Sequence, residues 1–77
     1  MKTTEEIIIA LNKVGKVVNH YSYNGYYKEK YACIQIKLKN KVLMAKDLAI
    51  LNELQPSSIQ IYAEDGIYLD INVKVNN

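Results

Sequence analysis

The sequence predicts an α+β domain of two layers, in which two helices cover one face of a four-stranded antiparallel sheet. Two observations predict this class. Helical and strand-like hydrophobic patterns follow each other in the order αββ-αββ, and apolar residues of the strands alternate with polar ones. A chain of 77 residues has room for one small core. We therefore predict a single domain over residues 1–77, with αββ repeats at about 3–40 and about 44–77.

The first element is predicted to be an amphipathic helix over residues 4–14. Thr3 and Glu6 have the spacing of a capping box, in which both side chains accept hydrogen bonds from backbone N–H groups at the start of a helix. Apolar residues then recur at intervals that place them on one helical face, and Gly15 ends the pattern. These apolar residues are Ile7, Ala10, Leu11 and Val14.

Two strands follow, at about residues 17–23 and 31–39, because apolar and polar residues alternate there. The alternation is clearest in the second strand, which sets Ile34, Ile36 and Leu38 against Gln35, Lys37 and Lys39. We interpret the two strands as a hairpin.

A second helix is predicted over about residues 46–54, where Leu48, Leu51 and Leu54 form one apolar stripe. Pro56 comes just after it, at a position where proline commonly follows a helix end. A two-layer domain requires this helix to pack on the same sheet face as the first helix.

The last two strands are predicted on either side of the turn signal Asp65-Gly66. Their bounds are about 59–63 and 67–75. Their apolar residues share a face only if Ala63 pairs with Ile67, because directly paired residues point to the same side of a sheet. The three residues between that pair form a common hairpin loop, in which Gly66 can adopt a positive φ.

Similar residues recur in the two halves, so we interpret the chain as an internal duplication. The register of the second hairpin can therefore be transferred to the first. It predicts that Val18 pairs with Ile34, His20 with Ala32, and Ser22 with Lys30. Residues 23–29 then form an extended tip.

The same register predicts which side chains lie on the open face of the sheet, opposite the helices. Two cross-strand tyrosine pairs are expected there, Tyr21 with Tyr31 and Tyr62 with Tyr68. The other residues expected on this face are Asn19, Cys33, Gln35, Lys37, Lys39, Gln60, Asp70, Asn72 and Lys74.

The open face predicts a binding function. Tyrosine rings can stack on nucleobases, lysines can neutralise phosphates, and amides can hydrogen-bond base edges. The net charge of +2 is small, but residues 1–41 hold eight lysines against three glutamates. We therefore hypothesise a module that binds single-stranded or structured nucleic acid. The candidate binding residues are Tyr21, Tyr23, Tyr26, Tyr27, Lys28, Lys30, Tyr31, Gln35, Lys37, Lys39, Tyr62 and Tyr68.

Three other interpretations stay open. The same face suits a protein partner, because aromatic residues are enriched at interface centres, and a small phage or mobile-element regulator or inhibitor would have this size. A homodimer paired through a sheet face or a sheet edge would stabilise so small a domain. Finally, tyrosine and lysine could reflect only strand propensity and an AT-rich genome.

No enzymatic activity, metal or cofactor is expected. One histidine and one cysteine are fewer than the four ligands of a closed zinc site, and His20 and Cys33 are predicted to face opposite ways. His20 is expected to be a buried or half-buried structural residue. The chain has no glycine-rich phosphate loop and no serine-histidine-acid set.

A cytoplasmic protein that makes no use of the membrane is expected. The single cysteine cannot form an internal disulfide. The longest wholly apolar run, residues 7–11, is far shorter than a membrane span, and the first residues show no signal-peptide pattern.

Overall fold

The computed structural model describes residues 1–40 and 42–76, and its elements follow the predicted order. The elements are α1 (Thr4–Leu11), β1 (Gly15–Asn24), β2 (Lys30–Leu38), α2 (Ala45–Leu54), β3 (Ser58–Ala63) and β4 (Ile67–Lys74). The strands form one antiparallel sheet in the order β1-β2-β4-β3, so β1 and β3 are its edges. The predicted fold class is confirmed. Neither helix in the described part of the chain has the length and apolarity needed to span a membrane.

Helix α1 begins with the predicted capping box. Thr3 Oγ1 accepts a hydrogen bond from the Glu6 N–H at 3.3 Å, and Glu6 Oε1 accepts one from the Thr3 N–H at 3.0 Å. The backbone hydrogen bond from Thr3 lowers the pKa of the Glu6 carboxyl. The helix ends at Leu11, earlier than predicted, and residues 12–14 form a turn that still places Val14 in the core.

Both helices pack on the same face of the sheet, as predicted. The central strands β2 and β4 contribute a fully apolar layer to the core, and the helices cover it. The buried side chains of this core are Ile7, Leu11, Val14, Ala32, Ile34, Ile36, Leu51, Leu54, Leu69, Ile71, Val73 and Val75.

Helix α2 contacts the core through its carboxyl-terminal half. Leu51 and Leu54 are buried, whereas Leu48, which was predicted on the same stripe, is 53% exposed. At the start of the helix, Asp47 Oδ2 accepts a hydrogen bond from the Met44 N–H at 2.9 Å. Asp47 is buried because it caps this turn rather than facing solvent.

The register of the second hairpin is confirmed, since Ala63 pairs with Ile67 and Tyr62 with Tyr68. Gly66, however, does not adopt the positive φ that was expected. A Cβ at this position would lie 2.7 Å from Lys37 Cε, so the glycine leaves room for that side chain instead.

The register of the first hairpin differs from the prediction by two residues. The observed pairs are His20 with Ile34, Tyr21 with Cys33, Ser22 with Ala32, Tyr23 with Tyr31 and Asn24 with Lys30. Because the shift is even, the side chains from Asn19 to Ser22 keep their predicted faces. Strand β1 is longer than predicted, strand β2 begins and ends one residue earlier, and the tip is shorter, comprising residues 25–29.

Hydrogen bonds within the tip explain its shorter length. The Gly25 N–H donates to the Glu29 carbonyl at 2.7 Å, and the Lys28 N–H donates to the Gly25 carbonyl at 3.0 Å. Lys28 adopts a left-handed backbone with φ of 65°, which lets the chain reverse within so few residues.

A β-bulge between Val17 and Asn19 is the second difference in this hairpin. Val17 packs against the core, whereas Val18, predicted to point inward opposite Ile34, is the extra residue and is 41% exposed. His20 is exposed rather than buried, because it lies on an edge strand. Two adjacent valines fit either inward position, so alternation alone could not reveal the bulge.

Candidate functional site

Two tyrosine clusters lie at opposite corners of the open face. In the β1–β2 cluster, the rings of Tyr23 and Tyr31 are stacked with centroids 5.4 Å apart, and Tyr21 is tilted 6.1 Å from Tyr23. In the β3–β4 cluster, Tyr62 and Tyr68 are stacked at 5.2 Å, as predicted. The first pair therefore contains Tyr23 rather than Tyr21, because of the shifted register.

Hydrogen bonds reach from each cluster towards the middle of the face. Tyr23 Oη on strand β1 donates to Asn72 Oδ1 on β4 at 3.0 Å. From the other edge, Tyr62 Oη accepts a hydrogen bond from Gln35 Nε2 on β2, which also donates to Asp70 Oδ1 at 3.1 Å. Tyr23 and Tyr62, one on each edge strand, thus point inward over the sheet.

Cys33 lies beneath this layer and is only 6% exposed. A hydrogen bond to the Cys33 thiol raises the pKa of Tyr21. Burial, and then the proximity of the same thiol, raise the pKa of Tyr23. Cys33 therefore acts as a small packing residue on the open face, and reagents in solution have little access to it.

The β3–β4 cluster is hydrogen-bonded to the acidic loop at residues 64–66. Tyr68 Oη donates to Asp65 Oδ1, and Lys37 Nζ lies 3.4 Å from Asp65 Oδ2 and 5.7 Å from the centre of the Tyr68 ring. The hydrogen bond to Asp65 raises the pKa of Tyr68 to about 12. The same bond, followed by the one from Lys37, lowers the pKa of Asp65. Burial, and then Asp70, raise the pKa of Tyr62.

These shifts predict a pH dependence. Folding favours the neutral form of Tyr68, so its contribution to stability is complete below its ordinary pKa of about 10 and is lost as the pH rises towards about 12. Asp65→Asn removes the accepting carboxylate, so Tyr68 is expected to ionise closer to pH 10. NMR titration of the Tyr68 ring would measure this change. Glu64→Gln, which removes a more weakly acting charge, should shift it less, and equal shifts would contradict the assigned hydrogen bond.

The hairpin tip presents the most exposed aromatic rings. Tyr26 is 91% exposed and Tyr27 is 84% exposed, and their rings meet edge to face with centroids 4.9 Å apart. Within residues 1–40 and 42–76 the only ion pair is the one between Lys37 and Asp65, so Lys28 and Lys30 have no carboxylate partner.

The structure separates the candidate residues predicted from the sequence into groups. Those that it brings together at the tip end of the sheet are Tyr21, Tyr23, Tyr26, Tyr27, Lys28, Lys30 and Tyr31. Gln35 lies in the middle of the face, and Lys37, Tyr62 and Tyr68 lie at the opposite corner.

Lys39 is not part of this face, contrary to the prediction. Strand β2 ends at Leu38, and Lys39 Nζ then donates to the Asn12 carbonyl at 3.2 Å, next to the end of α1. Lys74 is a cation that the candidate set missed, and it lies directly across from Tyr31. Alternation did place Lys74 on the open face, but only the pairing of β2 with β4 brings it beside Tyr31.

The described residues contain no group of three or more histidine, cysteine, aspartate or glutamate side chains arranged to hold a metal ion. No known protein family, curated protein or solved structure matches the chain.

Proposed function

We propose that the protein binds single-stranded nucleic acid through one end of its open face, here named the aromatic end. The aromatic end comprises Tyr21, Tyr23, Tyr31 and Lys74 on the open face and Tyr26, Tyr27 and Lys28 in the adjoining tip. Lys30, a candidate from the sequence, precedes open-face Tyr31 and therefore points to the helix side of the sheet. The observation that carries the proposal is the exposure of Tyr26 and Tyr27, at 91% and 84%, beside lysines that have no acidic partner among the residues the structure describes.

Exposed rings and ammonium groups together suit a flexible polynucleotide. A base that stacks on an aromatic side chain gains about 1–3 kcal/mol, whichever base it is. The rings of Tyr26 and Tyr27 are inclined at 80°, so they offer faces in two directions. The bases of a single strand can turn to meet such faces, whereas those of a duplex are already stacked on each other. The ammonium groups of Lys28 and Lys74 can neutralise the neighbouring phosphates.

The backbone of Lys28 also supports a functional role. Its φ of 65° lies in the left-handed region, where glycine or asparagine is the more stable choice. A lysine that occupies a strained position at a binding surface is better explained by its charge than by its contribution to the fold.

The opposite corner of the open face fits a polynucleotide poorly. Glu64, Asp65 and Asp70 place carboxylates around Tyr62 and Tyr68, and these would repel phosphates. The two rings already stack on each other, and Lys37 is engaged by Asp65. The proposed surface is therefore narrower than the sequence predicted.

The test is a titration of fluorescently labelled, mixed-sequence single-stranded DNA and RNA with the full chain, followed by anisotropy. Wild-type affinity is expected to fall as salt rises, because each phosphate contact on a single strand adds about 0.7 to the slope of log affinity against log salt. The Tyr26→Ala/Tyr27→Ala double variant should lose affinity by about 30-fold or more, since two stacked bases are lost.

A control double variant tests whether the loss is specific to this surface, and the circular dichroism spectrum of Tyr26→Ala/Tyr27→Ala tests its folding. Ile9→Ala/Val42→Ala removes two apolar side chains that are 64% and 65% exposed elsewhere, and it should bind like the wild type. No binding by the wild type at low salt would refute the proposal. Saturable capture of a protein instead, with little salt dependence, would favour the protein-interaction alternative.

Lys28→Gly provides a second test, because it is expected to raise the stability of the protein and to lower its affinity for nucleic acid. Relief of the left-handed backbone should raise the free energy of unfolding by about 1 kcal/mol, while loss of the ammonium group weakens binding and lowers the salt slope. Gln55, with φ of 49°, supplies the matched control, because Gln55→Gly relieves the same strain away from the aromatic end. Unchanged affinity in Lys28→Gly would contradict the role given to this lysine.

A further inference from the structure

Strand β3 is an unprotected edge of the sheet. Its residues, Ser58–Ala63, include no charged side chain, no proline and no glycine, and its pairing with β4 has no bulge. Edge strands usually carry such features, because their unpaired N–H and C=O groups can otherwise pair with another strand. The other edge, β1, is interrupted by the bulge after Val17 and carries Lys16 and His20.

The helix layer stops one strand short of this edge. On the helix-facing side of β4, Leu69 and Ile71 are 1% and 0% exposed. On the neighbouring strand β3, Ile59 and Ile61 point to the same side but are 38% and 67% exposed. The edge therefore combines free backbone groups with uncovered apolar side chains, a combination that marks an interaction site.

We propose that a second copy of this chain occupies the edge, with the two β3 strands antiparallel about a twofold axis at Gln60. The pairing joins two four-stranded sheets into one continuous sheet, with all helices on the same side. In this register Gln60 faces its own counterpart, Ile59 faces Ile61 of the second copy, and Ser58 faces Tyr62 of the second copy. Each copy's isoleucines are then covered by those of the other.

The charge pattern favours a second copy as the occupant. Twofold symmetry brings each group near its own counterpart, so a charged residue at the centre would meet a like charge. Strand β3 is uncharged, and the amide of Gln60 both donates and accepts hydrogen bonds, which suits pairing with itself. Glu64, the nearest carboxylate in sequence, falls opposite Pro56 of the second copy rather than opposite another acid.

The oligomeric state of the full chain tests this proposal by analytical ultracentrifugation over a range of concentrations. The wild type is expected to reach twice the 8.8 kDa mass of one chain, and Ile61→Lys to sediment as a monomer at every concentration. Ile61→Lys should keep the wild-type circular dichroism spectrum, because its side chain is 67% exposed. Ile9→Lys, which places the same charge at a 64% exposed site on α1, should remain a dimer.

A wild type that stays monomeric at the highest concentration would overturn the proposal, and so would a dimer that Ile61→Lys leaves intact. Cross-linking tests the register. Under mild oxidation Gln60→Cys should form a covalent dimer, because the twofold axis brings the two Cα atoms within about 6 Å. Val18→Cys on the β1 edge should not, and the reverse result would assign the interface to β1. The proposed nucleic-acid surface lies at the opposite edge, so failure of one proposal leaves the other standing.

Discussion

Ile71→Ala is expected to lower the free energy of unfolding by about 2–5 kcal/mol, a large part of the total stability of a domain this small. Ile71 is 0% exposed at the centre of strand β4, where it lies between Ile34 on β2 and Ile59 on β3. Its removal leaves a cavity in the apolar core layer, which a core with so few residues closes only in part. Urea denaturation followed by circular dichroism would measure the loss.

The matched control for this prediction is Ile9→Ala. Ile9 has the same side chain but is 64% exposed on helix α1, and alanine has the higher helix propensity, so the change should be close to neutral. In a thermal melt, each 1 kcal/mol lost should lower the midpoint by about 4–8 °C. Equal destabilisation by both variants would show that the sheet centre is not the stabilising core.

Gly15→Ala is expected to destabilise the protein by about 3 kcal/mol. Gly15 is buried at the start of strand β1, and a Cβ there would lie 2.5 Å from the Lys37 carbonyl oxygen and 3.1 Å from its carbon. These are backbone atoms of the neighbouring strand, so relief requires the two strands to separate. The urea midpoint should therefore fall with an unchanged m-value.

Gly66→Ala tests the same reasoning at a more tolerant position. There the added Cβ meets Lys37 Cε at 2.7 Å, near the end of a flexible side chain that can move away. The cost should stay below about 1 kcal/mol. Gly66→Ala destabilising as much as Gly15→Ala would contradict the distinction between backbone and side-chain contacts.

The candidate site was only partly predictable from the sequence. Alternation assigned Tyr62 and Tyr68 to one cross-strand pair, because the turn signal Asp65-Gly66 leaves one register that buries the apolar residues of both strands. The first hairpin has no equally specific turn. Its tip closes through hydrogen bonds at Gly25 and through the left-handed backbone of a lysine, which no turn rule favours.

The electrostatic character of the site could be predicted only in part, from the excess of lysine in residues 1–41. Asp65 neutralises Lys37 only because strand β2 lies beside β4, which brings their ends together across a long sequence separation. The same pairing places Lys74 beside Tyr31. In the structure the cations of the proposed surface therefore lie near the tip, whereas the sequence predicted that Lys37 and Lys39 also contact phosphate.

The sequence by itself determined the order of the elements, the capped start of helix α1, the two-sided character of the strands and the register of the second hairpin. Each of these follows from local spacing, which a chain expresses through neighbouring residues. The tertiary structure alone decided the strand order β1-β2-β4-β3, the bulge at Val18 and the exposure of the β3 edge. These features depend on which distant strands exchange hydrogen bonds and on how far the helices extend over the sheet. A periodic sequence pattern reports only local spacing, so it predicts neither of them.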